Sequence, residues 1–201
     1  MTREKKQVLT VKNIRNVNME NILQSILRKR ETTRSVLSKE NNISLMTVKH
    51  VVDDLIEAKI LVEKNSCNSD VGRNPKVLEI AENYGNIVCV NLTSKDEISF
   101  LIYDIYENLL KEQSMLLHQD RPYREELAAA IAAIQAELKT IPSLTVGVAV
   151  FVPSAYDASV DLVNYDLIPE FKELHIRSLF EEKFEINNIL ILHDVFAAAR
   201  S

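Results

Sequence analysis

Glycine is scarce. Only Gly72, Gly85 and Gly147 occur in 201 residues, far below the roughly 7% usual in proteins. Glycine-rich loops let a backbone approach phosphate oxygens closely, so a phosphate cradle is hard to build anywhere in this chain. Cysteine is scarcer still. Cys67 and Cys89 indicate no disulfide framework, and no His/Cys spacing suggests a metal or calls for a cofactor. No stretch is long and apolar enough to span a membrane. The start, Met1-Thr2-Arg3-Glu4-Lys5-Lys6-Gln7, is charged with no apolar run behind it, so no signal peptide is expected and cytoplasmic residence is. No internal repeat or low-complexity tract is evident. Hydrophobic residues make up 46% of the chain, enough for a core and too many for global disorder.

Charge is divided unevenly. Up to residue 80 there are fifteen Lys or Arg against ten Asp or Glu; from 81 onward there are nine against nineteen. A basic segment joined to an acidic one suggests a nucleic-acid-binding module, residues 1–80, followed by a different domain, residues 81–201. The overall charge of −5 does not oppose this, because only local positive charge is needed at a duplex.

The basic segment carries the most informative pattern. Asn18 to Leu27 is an amphipathic helix ending in Arg28-Lys29-Arg30. Thr33 is an N-cap for a second helix that begins at Arg34 and runs to Glu40. A polar break, Asn41-Asn42-Ile43, precedes a third helix capped by Ser44. In that helix Leu45, Val48, Val52 and Leu55 recur at helical spacing and predict a buried stripe. Thr47, Lys49 and His50 then face outward near the N-terminal end, where helix-turn-helix readers touch bases, with Ser44 and Met46 adjoining. Ile60 to Lys64 and Lys76 to Ile80 read as two strands around a polar turn holding Gly72. Three helices and a hairpin make a winged helix-turn-helix. Arg34, Lys64 and Arg73 are its expected backbone or minor-groove contacts.

The acidic segment alternates between strands and helices. Strands are expected at 87–92, 98–104, 109–117, 145–152 and 188–193. Helices are expected at Tyr123 to Lys139 and Phe171 to Phe184, with another starting at Val195. The run Thr145 to Val152 is nearly all apolar, as for the centre of a covered sheet. The sum is an α/β domain with a mixed sheet. Asp157, Asp161 and Asp166 lack a regular calcium-ligand pattern and read as a solvated acidic loop.

The order of these elements is similar to that of the ROK family, which contains repressors of the xylose-repressor type and sugar kinases. The resemblance rests on the winged helix, Gly72-Arg73-Asn74-Pro75, the strand meander, the apolar strand ending at Pro153, Asn164, and the strand ending in Asp194-Val195-Phe196-Ala197-Ala198-Ala199. It implies a single actin-like, ribonuclease-H-like α/β lobe behind the DNA reader. It also implies a double-stranded DNA operator and a sugar or sugar-phosphate effector, and a homodimer is expected because helix-turn-helix readers commonly bind palindromic sites as dimers. Asn164, His193 and Asp194 become effector contacts, although Asp194 also suits a helix cap and Asn164 a turn.

The departures from the family argue against kinase activity. The family's Asp-Leu-Gly-Gly-Thr phosphate loop is replaced by Asn91-Leu92-Thr93-Ser94-Lys95, and only Asp194 matches the catalytic base. A base without a phosphate site cannot drive phosphoryl transfer. The family's second lobe, with its zinc cluster, has no counterpart here. The expectation is a sequence-specific repressor rather than an enzyme. The alternatives are a ROK-type sugar kinase, or a lobe that serves only dimerisation or protein binding.

Overall fold

The computed structural model describes residues 11–65, 76–118, 120–164 and 168–193, with side chains from residue 14. The chain divides into two compact units, Met1–Tyr84 and Gly85–Ser201.

The first unit contains α1 (Val11–Lys29), α2 (Arg34–Glu40), α3 (Leu45–Glu57), β1 (Leu61–Asn65) and β2 (Lys76–Ile80). The strands are antiparallel, with Leu61 opposite Ile80 and Asn65 opposite Lys76. Thr32 adds a one-residue bridge to Leu78, its N–H donating at 3.1 Å and its carbonyl accepting at 2.7 Å. Ile22, Ile26, Leu37, Val48, Val52, Leu55, Leu61 and Leu78 are buried and form the unit's interior. Two expectations change. The first helix begins seven residues before Asn18, at Val11. Leu45 is 56% exposed, and Val51 joins Val48, Val52 and Leu55 as the buried residues of α3.

Local chemistry explains the helix boundaries. Thr33 Oγ1 accepts from Val36 N–H, and Ser44 Oγ accepts from Thr47 N–H at 3.1 Å. Between them, Asn41 Nδ2 donates to the Leu37 carbonyl, Asn42 turns left-handed at φ 51°, and Ser38 Oγ donates to the Ile43 carbonyl. At the far end of α3, Lys59 N–H bonds to Ile56 O and Ile60 N–H to Leu55 O, with Lys59 at φ 59°. That pairing is a Schellman closure, in which glycine usually supplies the left-handed residue.

The second unit is built on a five-stranded mixed sheet. Its strands are β3 (Gly85–Asn91), β4 (Glu97–Asp104), β5 (Leu109–Leu116), β6 (Leu144–Val152) and β9 (Ile189–His193). Their order is β5-β4-β3-β6-β9; β3, β4 and β5 are antiparallel neighbours, while β6 runs parallel to both β3 and β9. Helix α4 (Tyr123–Leu138) connects β5 to β6. The two-residue strands β7 (Tyr156–Asp157) and β8 (Leu162–Val163), a 3-10 helix (Pro169–Glu173) and α5 (Ile176–Phe184) lie between β6 and β9. Val88, Val90, Phe100, Ile102, Val148 and Val150 from the sheet share one core with Leu127, Ile131 and Ile134 of α4 and with Phe171 and Phe180.

Several features depart from the sequence reading. The apolar run of β6 predicted cover on both faces, yet burial alternates and only one face is fully covered. The strand β9 is an outer strand rather than a buried one, with Leu190 54% exposed. The single helix expected over 171–184 is interrupted at Leu174 and His175. Asp161 is more than a solvated acid. Its carboxylate accepts from the backbone N–H groups of Arg177 and Ser178 and from the hydroxyls of Ser178 and Tyr156, capping α5 from a distant loop. Burial works against the Asp161 charge, but these donors hold its pKa below the ordinary value. Asn86 is fully buried and satisfied, donating to the Ser143 carbonyl and accepting from Thr145 Oγ1, both at 3.0 Å.

A left-handed lysine carries steric strain that glycine lacks. Lys59→Gly is expected to stabilise the chain by about 0.5–1 kcal/mol, read as a higher melting temperature. An unchanged or lower value would show that the α3 terminus is not strained.

Candidate nucleic-acid interface

The three residues expected to face a duplex sit on the outer side of α3. Lys49 and His50 are exposed and Thr47 is half-buried. The buried residues Val48, Val51, Val52 and Leu55 fix the rotation of the helix and so turn these side chains outward. Ser44 is exposed but committed. Besides its capping bond, its Oγ lies 2.8 Å from Thr47 Oγ1. Met46 is 63% exposed.

The expected phosphate contacts are placed differently. The Arg34 guanidinium donates to Glu63 of β1 and to Asp53 of α3, the latter at 3.0 Å, and its side chain is 25% exposed. Lys64 pairs with Glu79 across the hairpin at 2.6 Å. Arg34 thus ties α2 to α3 and β1, and a phosphate contact from either residue would compete with a carboxylate. Arg73 and Cys67, together with the Gly72–Pro75 motif, lie outside the described residues.

The same pairs change the electrostatics of the helix. Asp53 is matched by Arg34 and Asp54 by Arg15 of α1. Two acids that would repel a duplex are therefore partnered by cations. Burial works against the charge of both Arg34 and Glu63. Their hydrogen bonds outweigh it, raising the Arg34 pKa and, with help from Lys76, lowering that of Glu63.

Residues of α1 that precede the expected start at Asn18 lie beside this face. Ile14, Arg15 and Asn18 line a shallow cleft of about 410 Å³ together with Thr47, His50 and Asp54. The available signal was Ile14 at helical spacing from Val17 and Asn18.

In the second unit, Asn164 is exposed just beyond β8, and His193 ends β9 half-buried. Asp194 lies outside the described residues. The loop after β3 is closed on itself. Asn91 Oδ1 accepts from Thr93 N–H at 3.0 Å and Thr93 Oγ1 at 2.7 Å, while Leu92 is fully buried. Among the described residues, no group of three or more His, Cys, Asp or Glu is arranged to hold a metal ion, and no helix is long and apolar enough to cross a membrane.

A small three-helix unit with a two-stranded hairpin, followed by a mixed-sheet α/β lobe, defines the class of architecture. No family model matches the chain. It is 22% identical over 174 residues to a putative xylose repressor of Caldicellulosiruptor sp. strain Rt8B.4, covering 85% of this chain and 43% of that protein. It is also 22% identical over 178 residues to the xylose repressor of Caldicellulosiruptor bescii, covering 86% of this chain and 44% of the relative. A crystal structure of a ROK family transcriptional regulator, a homolog of the E. coli MLC protein, shares the fold with a TM-score of 0.69 at 16% identity. That match covers 92% of this chain and 47% of the other. The chain resembles ROK-family repressors and spans less than half the length of these relatives.

The Glu63 shift carries a pH signature. Because its folded-state pKa is lowered, its contribution is present above the ordinary glutamate value of about 4.3 and is lost as pH falls through the lower folded value. Glu63→Gln is expected to cost about 1–2 kcal/mol at pH 7 and to flatten the acid limb of a stability–pH profile. An unaltered acid limb would remove Glu63 from this role.

Proposed function

We propose that this chain acts as a sequence-specific DNA-binding transcriptional repressor. Residues 1–80 serve as a winged helix-turn-helix and residues 81–201 as a ROK-like lobe. The observation that carries the reading is the outward face of α3: Lys49 and His50 are exposed, with Thr47 half-buried at their edge, on a helix whose valine–leucine stripe is buried. That geometry suits insertion into a major groove. The basic balance of residues 1–80 adds sequence-independent attraction to phosphate. The repressor names of the similar proteins support the same reading.

The regulator works without catalysis. Asn91 spends its side-chain oxygen on Thr93, closing the turn where a kinase would hold phosphate, and the next residue, Leu92, is fully buried in the core. The effector is a sugar or sugar phosphate, in keeping with relatives named as xylose repressors, with Asn164, His193 and Asp194 as contacts. The chain binds a palindromic operator as a homodimer, the usual arrangement for such readers.

Lys49→Glu is expected to abolish operator binding in a gel-shift assay while the melting temperature stays unchanged, since Lys49 is exposed. Retained affinity would reject this face of α3. For the unsubstituted chain, log affinity should fall linearly with log salt concentration. Calorimetric titration with ATP and magnesium should give no heat of binding; a clear isotherm would restore the kinase reading.

A further inference from the structure

Two large apolar side chains stand in the open at the tip of α3. Leu45 and Met46 are the first two residues of the helix and are 56% and 63% exposed, directly after the Ser44 cap. The interior does not need them, because Val48, Val51, Val52 and Leu55 already anchor the helix. Helical spacing places Leu45 four residues and Met46 three residues before Lys49, so both lie one turn below it on neighbouring rows of the surface. His50 follows Met46 at four residues. The exposed tip thus sets two apolar groups beside two nitrogen-bearing side chains.

Resting on the proposed regulator reading, we infer that Leu45 and Met46 are specificity-determining residues that read the 5-methyl groups of thymine in the operator. The major groove presents one apolar group along its base edges, the thymine methyl; the remaining readable positions are hydrogen-bond donors and acceptors. The first turn of a recognition helix reaches deepest toward those edges. An apolar pair at that position is matched by thymine and by no other base. The cationic neighbour Lys49 and the polar Thr47 favour a duplex over an apolar protein surface, because a protein partner burying this tip would also have to desolvate the ammonium group. The acids farther along α3, Asp53 and Asp54, are held by Arg34 and Arg15, which lowers the repulsion a duplex meets there.

The test begins by enriching duplexes from a randomised pool with the full chain. Each thymine of the selected site is then replaced singly by deoxyuridine, which removes only the methyl group. Fluorescence anisotropy should show a loss of about three- to fivefold at one or two positions per half-site, the worth of one buried methyl. Met46→Ala and Leu45→Ala should bind more weakly and no longer distinguish thymine from uracil at those positions. Both side chains are exposed, and unchanged melting curves will verify that the variants fold. A chain that selects a sequence but is indifferent to every uracil replacement overturns the inference and leaves the regulator reading standing. Variants that keep full methyl discrimination overturn it as well. If no duplex is enriched, the regulator reading and this assignment are overturned together.

Discussion

The rotation of α3 is set by burial of Val48, Val51, Val52 and Leu55, and the exposure of Lys49, His50 and the first turn depends on it. Each of these side chains is at most 2% exposed. Sequestering four branched aliphatic side chains is worth several kcal/mol, far more than any single surface contact. A helix held this firmly cannot turn to hide Met46 or His50 without bringing a valine into water. The anchoring residues occupy the second to fourth turns, so the first turn projects with its cap and its two apolar side chains uncovered. Arg34 reinforces the arrangement by joining α2 to α3 and β1 through carboxylates on both.

The second unit solves a different problem. Its loops must be fixed with almost no glycine, and side-chain oxygens do the work. Asp161 gathers four donors and caps a helix that begins fifteen residues away. Asn91 closes the β3–β4 turn, and Asn86 joins the start of β3 to the segment entering β6. Gly85 is retained where it is needed: a Cβ there would stand 2.6 Å from a methyl of Val146. The same reliance on side chains keeps the Asn91 side-chain oxygen engaged within its own turn.

Much of this was readable from residue order. Thr33 and Ser44 announced their caps, because a hydroxyl before an apolar-periodic run has few other uses. The α4 boundaries followed from Pro122 and the Ala- and Leu-rich run behind it, and most strand boundaries from short apolar runs. What escaped was set by tertiary context. Leu45 fits the helical stripe by spacing, but nothing in the described unit covers the first turn. The extent of α1 was missed because polar residues interrupt its early apolar ones, of which Ile14 and Val17 are each 47% exposed. The pairing of Arg34 with Glu63 spans twenty-nine residues and has no local signature. The apolar composition of β6 gave no indication that one of its faces would be only half-buried, since composition alone does not say what lies above a sheet. The interruption at Leu174 and His175 was hidden by continuous amphipathic spacing on either side.

The poverty in glycine reaches beyond the phosphate site. Arg30, Asn42, Lys59, Glu107, Asp161 and Glu185 all adopt positive φ among the described residues, in places where glycine is the common choice. Residues bearing a Cβ wander over less of conformational space when the chain is denatured, so less disorder is surrendered as it folds. This protein therefore accepts local steric discomfort in its folded form while narrowing the random ensemble that competes with it.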